Sequence, residues 1–450
     1  MLDCAVSATH PLPNPSPDII LGCDVLKKMF SNEKDPYQFA KMMKTYDGEL
    51  LSPREMKRNA IHLYKWLNIL ESALENKTYI CGNTFTTADI SVVPRTLMYP
   101  ITGLLETKEE QNRYPNVMRY LRNVGSRPSF HEPSVVSLNL VRWLPWSLIE
   151  WVGNWRNGMV HHRIHGRDAL KELDKSEEPA PSTPVSIPEG TDVVLYCHAP
   201  WPDSISVKIG CAELNLKVLT KEVDMVRLEH KAGSYLALNP LGEVPTAIHA
   251  DHVIYDAQNI MEYLDSLYSD DIHPSLLPML AIDRVQVRMW QGWCRTCFNY
   301  QLIHLYKQYI LLPILQAKFS SREKLLTSLH KSTTATDHTD DLVHLFEQKK
   351  GSPEETESKM SPYKSGLRKC LEYLDGKLEG HSFLVTTKLT MADISVFSLL
   401  LLFKWVQIDI SLDYPNVTAW RERLLARPAF FFGQAAVDEY MLRHGIHQLP

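Results

Sequence analysis

The chain has 450 residues, 44% of them hydrophobic and 22% charged, which excludes a collagen-like or wholly disordered protein and leaves room for about three domains. A net charge of −5 argues against a protein that neutralises many phosphates, so we expect no nucleic-acid partner. Eight cysteines are too few for a disulfide framework and favour a reducing, cytoplasmic location.

No stretch of the sequence predicts passage through a membrane. The first eighteen residues hold four prolines and lack the pattern of a secretory signal. The longest apolar run, residues 395–403, ends at Lys404, whereas a bilayer requires about 20 apolar residues. Residues 441–450 contain no apolar anchor. We therefore expect no transmembrane segment.

A helical module occurs twice, which we interpret as a tandem repeat. Residues 67–89 align without a gap with residues 371–393, and the sequence Tyr-Pro-Asn-Val recurs at Tyr114 and Tyr414. In each copy an Arg-Pro-x-Phe motif follows that tyrosine. Each copy also has a Thr-x-Ala-Asp sequence before an apolar run, which predicts a helix whose first turn is capped by the Thr and Asp side chains.

Three features lie between the two copies. Four tryptophans fall within residues 141–155, a density typical of a membrane interface or of a cover over exposed apolar surface. Residues 161–165 (HHRIH) have the spacing of metal ligands. No Cys or acidic residue follows them before Asp168 to complete a metal site, so we expect a basic segment and no metal. Residues 166–190 end in a stretch with four prolines and predict an extended, solvated linker.

After the linker, strand-like and helical patterns alternate. The strand-like runs are residues 192–196, 217–223, 246–250 and 252–255, and the helical runs are residues 204–214 and 258–267. The order β-α-β-α-β-β-α within about 75 residues is that of a thioredoxin-like α/β layer. Beyond residue 271 the pattern is helical to the end of the chain.

The capping sequence, Tyr-Pro-Asn-Val and Arg-Pro-x-Phe together resemble the helical half of the glutathione transferase superfamily. Residues 238–248 (LNPLGEVPTAI) resemble its loop before the third strand, in which Val244 and Pro245 would be joined by a cis peptide bond. The resemblance implies a thioredoxin-like transferase N-terminal domain at 191–270 and an all-α transferase C-terminal domain at 271–450. It implies a second, partial all-α C-terminal-like domain at 1–165, without a sheet layer of its own.

Within the superfamily the chain is most similar to the ganglioside-induced differentiation-associated protein family. The similarity rests on the sequences around residues 239–245 and 260–264 and on a long insertion at 309–361. That family is implicated in mitochondrial membrane biology through a C-terminal anchor, and its transferase activity is uncertain. The resemblance therefore implies an association with the outer mitochondrial surface, against which the sequence of residues 441–450 argues.

The resemblance implies a glutathione site in the thioredoxin-like layer. Glu243, Val244 and Pro245 would hold the cysteinyl part of glutathione, which pairs with the Val244 backbone like an added strand. Most members carry an acidic residue or Gln followed by Ser at the γ-glutamyl end of the site, where Asp256 and Ala257 stand here. The Ser hydroxyl is lost, although we expect the helix N-terminus to offer amides to a carboxylate.

The catalytic position departs from that of working enzymes. Trp201 occupies the place of the Tyr, Ser or Cys that stabilises the glutathione thiolate, and an indole offers one N–H donor and no nucleophile. Ser204 is the candidate catalytic residue, with helix capping as the alternative role. Cys294 and Cys297 form a C-x-x-C sequence, but they follow helical and not strand-like residues, which weakens a thiol–disulfide exchange function.

The sequence therefore predicts a glutathione-transferase-like protein that binds glutathione and has weak conjugating or thiol-transfer activity on apolar small molecules. The alternative is a non-catalytic binding scaffold of the differentiation-associated kind. Because residues 52–130 lack a sheet layer, we also expect this helical module to be covered in a pseudo-dimer within the chain or in a homodimer.

Overall fold

A computed structural model describes residues 53–96, 105, 108–127, 187–332, 336–348, 352–410 and 413–446. The chain divides into two compact units, Met1–Glu177 and Glu178–Pro450, which are described separately below. The boundary lies within residues 166–190, where the sequence predicts a linker. The tryptophan-rich residues 141–155 and the histidine-rich residues 161–165 lie outside the described residues.

The described part of the first unit is helical. Its helices are α1 (Pro53–Ala73), α2 (Thr87–Thr96), α3 (Lys108–Arg113) and α4 (Pro115–Gly125). Tyr64, Leu67 and Leu70 recur every three residues on one helix face and are buried in one hydrophobic cluster with Val117 and Val124 of α4. Within residues 53–96, 105 and 108–127 no β-strand accompanies these helices, apart from an isolated bridge between two loop residues.

A buried carboxylate ties together three parts of this module. Asp89 Oδ2 accepts hydrogen bonds from the Thr86 amide at 2.8 Å and from the Thr86 hydroxyl at 3.1 Å. Its Oδ1 accepts from the Ile80 amide at 3.0 Å and from the Tyr120 hydroxyl at 3.1 Å. The predicted helix cap is confirmed, and the same aspartate also fixes the preceding loop and α4.

The second unit contains the same arrangement at the equivalent positions. Asp393 Oδ2 accepts from the Thr390 amide at 3.0 Å and hydroxyl at 2.9 Å, and Oδ1 accepts from the Leu384 amide at 2.9 Å and the Trp420 indole N–H at 3.0 Å. The helical module of the first unit thus shares this capping arrangement with the helical domain of the second unit, as expected of two copies of one module.

The second unit begins with a mixed four-stranded sheet. Its strands are β1 (Val193–Cys197), β2 (Val218–Glu222), β3 (Thr246–His249) and β4 (His252–Tyr255), in the order β2-β1-β3-β4. Strand β1 is parallel to β2 and antiparallel to β3, and β3 is antiparallel to β4. This is the thioredoxin-like layer that the sequence predicts, with strand ends that differ from the prediction by at most one residue.

Helices pack on this sheet and continue to residue 443. They are α5 (Pro202–Glu213), α6 (Gly233–Leu236), α7 (Ala257–Tyr268), α8 (Ala281–Trp293), α9 (Asn299–Tyr306), α10 (Leu312–Lys318), α11 (Arg322–Ser332), α12 (Thr336–Phe346), α13 (Pro353–Leu378), α14 (Met391–Leu400), α15 (Pro415–Leu425) and α16 (Pro428–Arg443). Two π-helical segments, Cys294–Phe298 and Lys307–Leu311, interrupt the helix that begins with α8.

The sheet layer and the helical domain of the second unit share one hydrophobic core. Helix α14 is buried on nearly all sides, as expected of a core helix. Helices α5 and α7 approach closely at Gly210, where a Cβ atom would displace the end of the flexible Met261 side chain. Among the described residues, no helix is long and apolar enough to cross a bilayer.

The arginine of the Arg-Pro-x-Phe motif has different partners in the two modules. In the second unit, Arg427 donates two hydrogen bonds to Glu213 of α5, one of them at 3.0 Å, and so joins the last helix to the sheet layer. In the first unit, Arg127 lies over the Phe85 ring at 4.0 Å and donates to the Tyr79 hydroxyl at 3.3 Å. The motif is thus retained where the described residues contain no sheet layer.

Candidate functional site

A cavity of about 60 Å³ lies between the sheet layer and the helical domain of the second unit. One wall is formed by the first turns of α5 and α7, and the other by α8, the π-helical segment after it and α14. The lining residues are Trp201, Pro202, Asp203, Ser206, Asp256, Ala257, Gln258, Met261, Gln291, Cys294, Arg295, Asn299, Ser395 and Leu399.

Trp201 stands directly before helix α5, with Pro202 at the first helical position, where proline needs no hydrogen-bond donor. Its half-buried indole meets the Tyr306 ring edge-on at 5.9 Å between centroids. The indole N–H donates to the Asp203 carboxylate. The donor that the sequence analysis assigned to this position is therefore already engaged by the protein.

Ser204 does not line the cavity. It is fully buried, and its Oγ accepts a hydrogen bond from the His198 amide at 3.2 Å. The structure therefore does not bring Ser204 together with the other predicted site residues. Its catalytic role stays a prediction. The alternative role of helix capping is not supported either, because no side chain caps the start of α5 and the Ser204 hydroxyl instead holds the loop after β1.

The loop before β3 contains the cis peptide bond between Val244 and Pro245 that the resemblance implies. The Tyr235 hydroxyl donates to the Glu243 carbonyl at 2.7 Å, and the fully buried Asn239 side chain donates to the same oxygen at 3.0 Å. No group in the described part of the chain accepts a hydrogen bond from the Val244 amide. This amide is available to a ligand that lies along the loop.

The N-terminus of α7 corrects one sequence-based expectation. Asp256 precedes the helix with a φ of +70°, and its Oδ1 accepts from the Gln258 amide at 3.0 Å and the Asn259 amide at 3.1 Å. The prediction that the helix N-terminus offers its amides to a ligand carboxylate therefore needs a correction for two of them, which the carboxylate of Asp256 occupies, whereas the Ala257 amide has no acceptor among the described residues. Ala257 lines the cavity and brings no hydroxyl.

The charged groups of the lining are two carboxylates, Asp203 and Asp256, and one guanidinium, Arg295. Burial by the cavity walls and the nearby carboxylates of Asp256 and Glu243 raise the pKa of Asp203 to about 6, against the opposing effect of the Arg295 guanidinium. The Asp203 side chain is nevertheless exposed at the cavity mouth. Arg295 Nη1 lies 3.6 Å from Asp256 Oδ2. This arginine therefore faces two carboxylates across the cavity.

Sequence reasoning missed Gln291 and Arg295, which lie on one stretch of helix. The only sequence signal was the C-x-x-C motif. It lies in the helical segment that contains Arg295, but it pointed to thiol–disulfide exchange and not to ligand binding. Cys294 and Cys297 lie in a π-helical turn, and burial raises the pKa of the Cys294 thiol strongly. A protonated, buried thiol is a poor nucleophile, which disfavours thiol–disulfide exchange at this motif.

Known proteins match both halves of this architecture. The family model for the glutathione S-transferase C-terminal domain matches residues 52–128 and 338–428, and the model for the N-terminal domain matches residues 204–267. Glutathione S-transferase 2 of Schizosaccharomyces pombe is 27% identical over 252 residues, which cover 52% of this chain and 91% of that protein.

Two further comparisons cover smaller shares or show lower identity. The mouse ganglioside-induced differentiation-associated protein 1-like 1 is 31% identical over 117 residues, which span 25% of this chain and 30% of that protein. The crystal structure of the β-etherase LigF from Sphingobium sp. strain SYK-6 superposes with a TM-score of 0.46 and 21% identity, and covers 54% of this chain and 98% of that structure.

Proposed function

Since this chain belongs to the glutathione transferase superfamily, we propose that its second unit binds glutathione and has weak conjugating or thiol-transfer activity. The observation that carries the proposal is the Val244 amide, which has no acceptor among the described residues. The Val244 side chain packs in a small cluster against Trp201, which also lines the cavity. A peptide bound along the loop would therefore reach the cavity with one end.

The cysteinyl backbone of glutathione would pair with Val244 as an added strand does. Its thiol would then lie near the first turn of α5, and its γ-glutamyl end would enter the cavity beside Asp256. The site suits an apolar co-substrate because the rings of Trp201 and Tyr306 lie next to the proposed position of the thiol.

Weak activity follows from what surrounds the thiol. The positive end of α5 favours a thiolate by about 0.3–1 kcal/mol. A hydroxyl or thiol donor would add more, but Trp201 stands in its place and its N–H is bonded to Asp203. The glutathione thiol is therefore activated only in part. Ser204 would contribute to catalysis only if its side chain left the His198 amide.

A non-catalytic scaffold of the differentiation-associated kind is the second candidate. It is supported by Trp201 at the catalytic position, by Ala257 in place of Ser, and by the carboxylate of Asp256 on the amides of α7. Both candidates require glutathione to bind, and they differ in turnover. The expectations of a cytoplasmic location and of a pseudo-dimer or homodimer stay predictions.

Calorimetric titration of the full chain with glutathione, followed by turnover of an aryl halide, tests both candidates. The tripeptide Gly-Cys-Gly serves as the control ligand, since it has the same thiol but no γ-glutamyl end. Tighter binding of glutathione with slow turnover supports the transferase, and the same binding without turnover supports the scaffold. Equal binding of the two peptides, or no binding of either, would overturn the proposed glutathione site.

A further inference from the structure

Gln291 is the least explained polar side chain in the cavity wall. It is 5% exposed, and its Oε1 has no hydrogen-bond partner within the described residues. A buried amide oxygen without a donor costs about 1–3 kcal/mol. Buried polar groups in native proteins are rarely left unpaired, so this oxygen is suited to a donor that arrives with a ligand.

Arg295 lies one helical turn further on and presents the complementary chemistry. Its Nε is buried and has no acceptor among the residues described. Its Nη1 approaches Asp256 Oδ2 only to 3.6 Å, a contact too long for a good hydrogen bond. The guanidinium can therefore bind a second carboxylate, and its fork suits a bidentate pair.

Asp203 supplies a second acceptor on the opposite wall. Its carboxylate takes one hydrogen bond from the Trp201 indole and is exposed to the cavity. The cavity thus offers two acceptors, Gln291 Oε1 and Asp203, and one cationic donor, Arg295. A ligand that satisfies all three carries an ammonium group and a carboxylate close together.

We propose that Gln291, Arg295 and Asp203 bind the α-amino-acid end of a ligand, with the ammonium group on Gln291 and Asp203 and the carboxylate on Arg295. This inference rests on the proposed function, in which that end is the γ-glutamyl α-amino and α-carboxyl groups of glutathione. The cavity of about 60 Å³ has room for about four water molecules, which suits an end group of a few heavy atoms.

The assignment explains how the site works without the usual serine. Ala257 has no hydroxyl, and Asp256 fills the N-terminus of α7 with its own carboxylate. At this end the sheet layer offers an incoming carboxylate the Ala257 amide, which has no acceptor among the described residues, but no hydroxyl and no charged donor. Arg295 belongs to the helical domain and supplies the charged donor, so recognition of the γ-glutamyl carboxylate relies mainly on the helical domain.

The test is a calorimetric titration of the full chain with three ligands. They are glutathione, its des-amino analogue glutaryl-Cys-Gly, and its des-carboxy analogue 4-aminobutyryl-Cys-Gly. Gln291→Met replaces the buried amide with an apolar side chain of similar length, so we expect no loss of folding stability. Gln301→Met is the matched control, because Gln301 lies on the following helix and does not line the cavity.

In the wild type, each analogue should bind about tenfold or more weakly than glutathione, the size expected for a lost hydrogen bond to a charged group. Gln291→Met should weaken glutathione to a similar degree and leave the des-amino analogue unchanged. Arg295→Met should weaken glutathione and leave the des-carboxy analogue unchanged. Gln301→Met should bind all three ligands as the wild type does.

The outcomes separate this inference from the proposed function. If the wild type binds glutathione and both cavity variants bind it equally well, the inference is overturned and the glutathione site stands. If the variants lose affinity equally for glutathione and for the analogues, the residues act on structure and the inference is also overturned. If the wild type binds no glutathione, the proposed function fails, and this inference fails with it.

Discussion

Replacing Trp201 by serine should turn a weak transferase into a faster one. The change places a hydroxyl at the start of α5, beside the proposed position of the glutathione thiol. It also removes the indole that donates to Asp203 and meets Tyr306 edge-on at 5.9 Å. A serine hydroxyl can donate to a thiolate, and with the helix N-terminus it forms the usual stabilising environment.

The size of the effect follows from the hydrogen bond gained. A hydrogen bond to a charged group contributes about 1.5–3 kcal/mol, which corresponds to a fall of about 1–2 units in the thiol pKa of bound glutathione. Turnover near neutral pH should rise by roughly ten- to a hundredfold. Folding stability should fall by about 1 kcal/mol, since loss of a half-buried indole is partly offset by serine at an N-cap position.

The assay measures the thiolate absorbance of bound glutathione against pH, together with aryl halide turnover. Trp201→Ala is the matched control, because it opens the same space without adding a hydroxyl. We expect the alanine variant to keep the slow rate and the thiol pKa that bound glutathione has in the wild type. Equal acceleration in the two variants would show that the opened space causes the gain, and the account of a missing thiolate donor would be refuted.

Three further predictions concern the two arginines of the repeated motif, the two aspartate caps and the titration of Asp203. Arg427→Ala should lower the free energy of unfolding by about 2 kcal/mol, because its nearly buried glutamate partner loses its charge pair. Arg127→Ala should cost at most about 1 kcal/mol, the value of a cation–π contact, and equal losses in urea unfolding would contradict this difference. Asp393→Asn and Asp89→Asn should each lower the free energy of unfolding by about 3 kcal/mol, because an amide group replaces a carboxylate oxygen that accepts two hydrogen bonds. A loss below about 1 kcal/mol in either variant would count against this account. In the wild type, the contribution of Asp203 to the free energy of unfolding should fall as pH rises from about 4 to about 6, because its pKa is higher in the folded state. The Asp203→Asn variant should lack this pH dependence when unfolding curves are compared.

The fold was predictable because its signals are local. The strand runs, the Thr-x-Ala-Asp caps and the loop around Val244 each occupy a few consecutive residues, and each element forms where the sequence predicts it. The sequence predicted the bonds of Asp89 and Asp393 to the preceding threonines, but not their bonds to the Ile80 and Leu384 amides.

The site was less predictable because its chemistry comes from distant segments. Gln291 and Arg295 meet Asp203 only after the helical domain packs on the sheet, and no short motif marks that contact. Ser204 was selected for its hydroxyl, but whether it points into the cavity or the core depends on the exact phase of α5. The capping of α7 by Asp256 depends on a positive φ at this aspartate, which the local sequence does not predict.

The two aspartate caps show where a repeat stops being informative. Burial raises the pKa of both carboxyls. Two backbone amides, a threonine hydroxyl and one aromatic side chain, Tyr120 at Asp89 and Trp420 at Asp393, lower it. At Asp89 the donors outweigh burial and the pKa is lowered, whereas at Asp393, inside the larger unit, burial outweighs the donors and the pKa is raised. Equivalent sequence positions therefore predict equivalent hydrogen bonds but not the same direction of pKa shift, because the desolvation of a charge depends on the whole unit that encloses it. The same reasoning applies to the cavity, where the sequence identifies the loop that we propose binds a peptide backbone, and the surrounding helices determine which charged groups lie beside it.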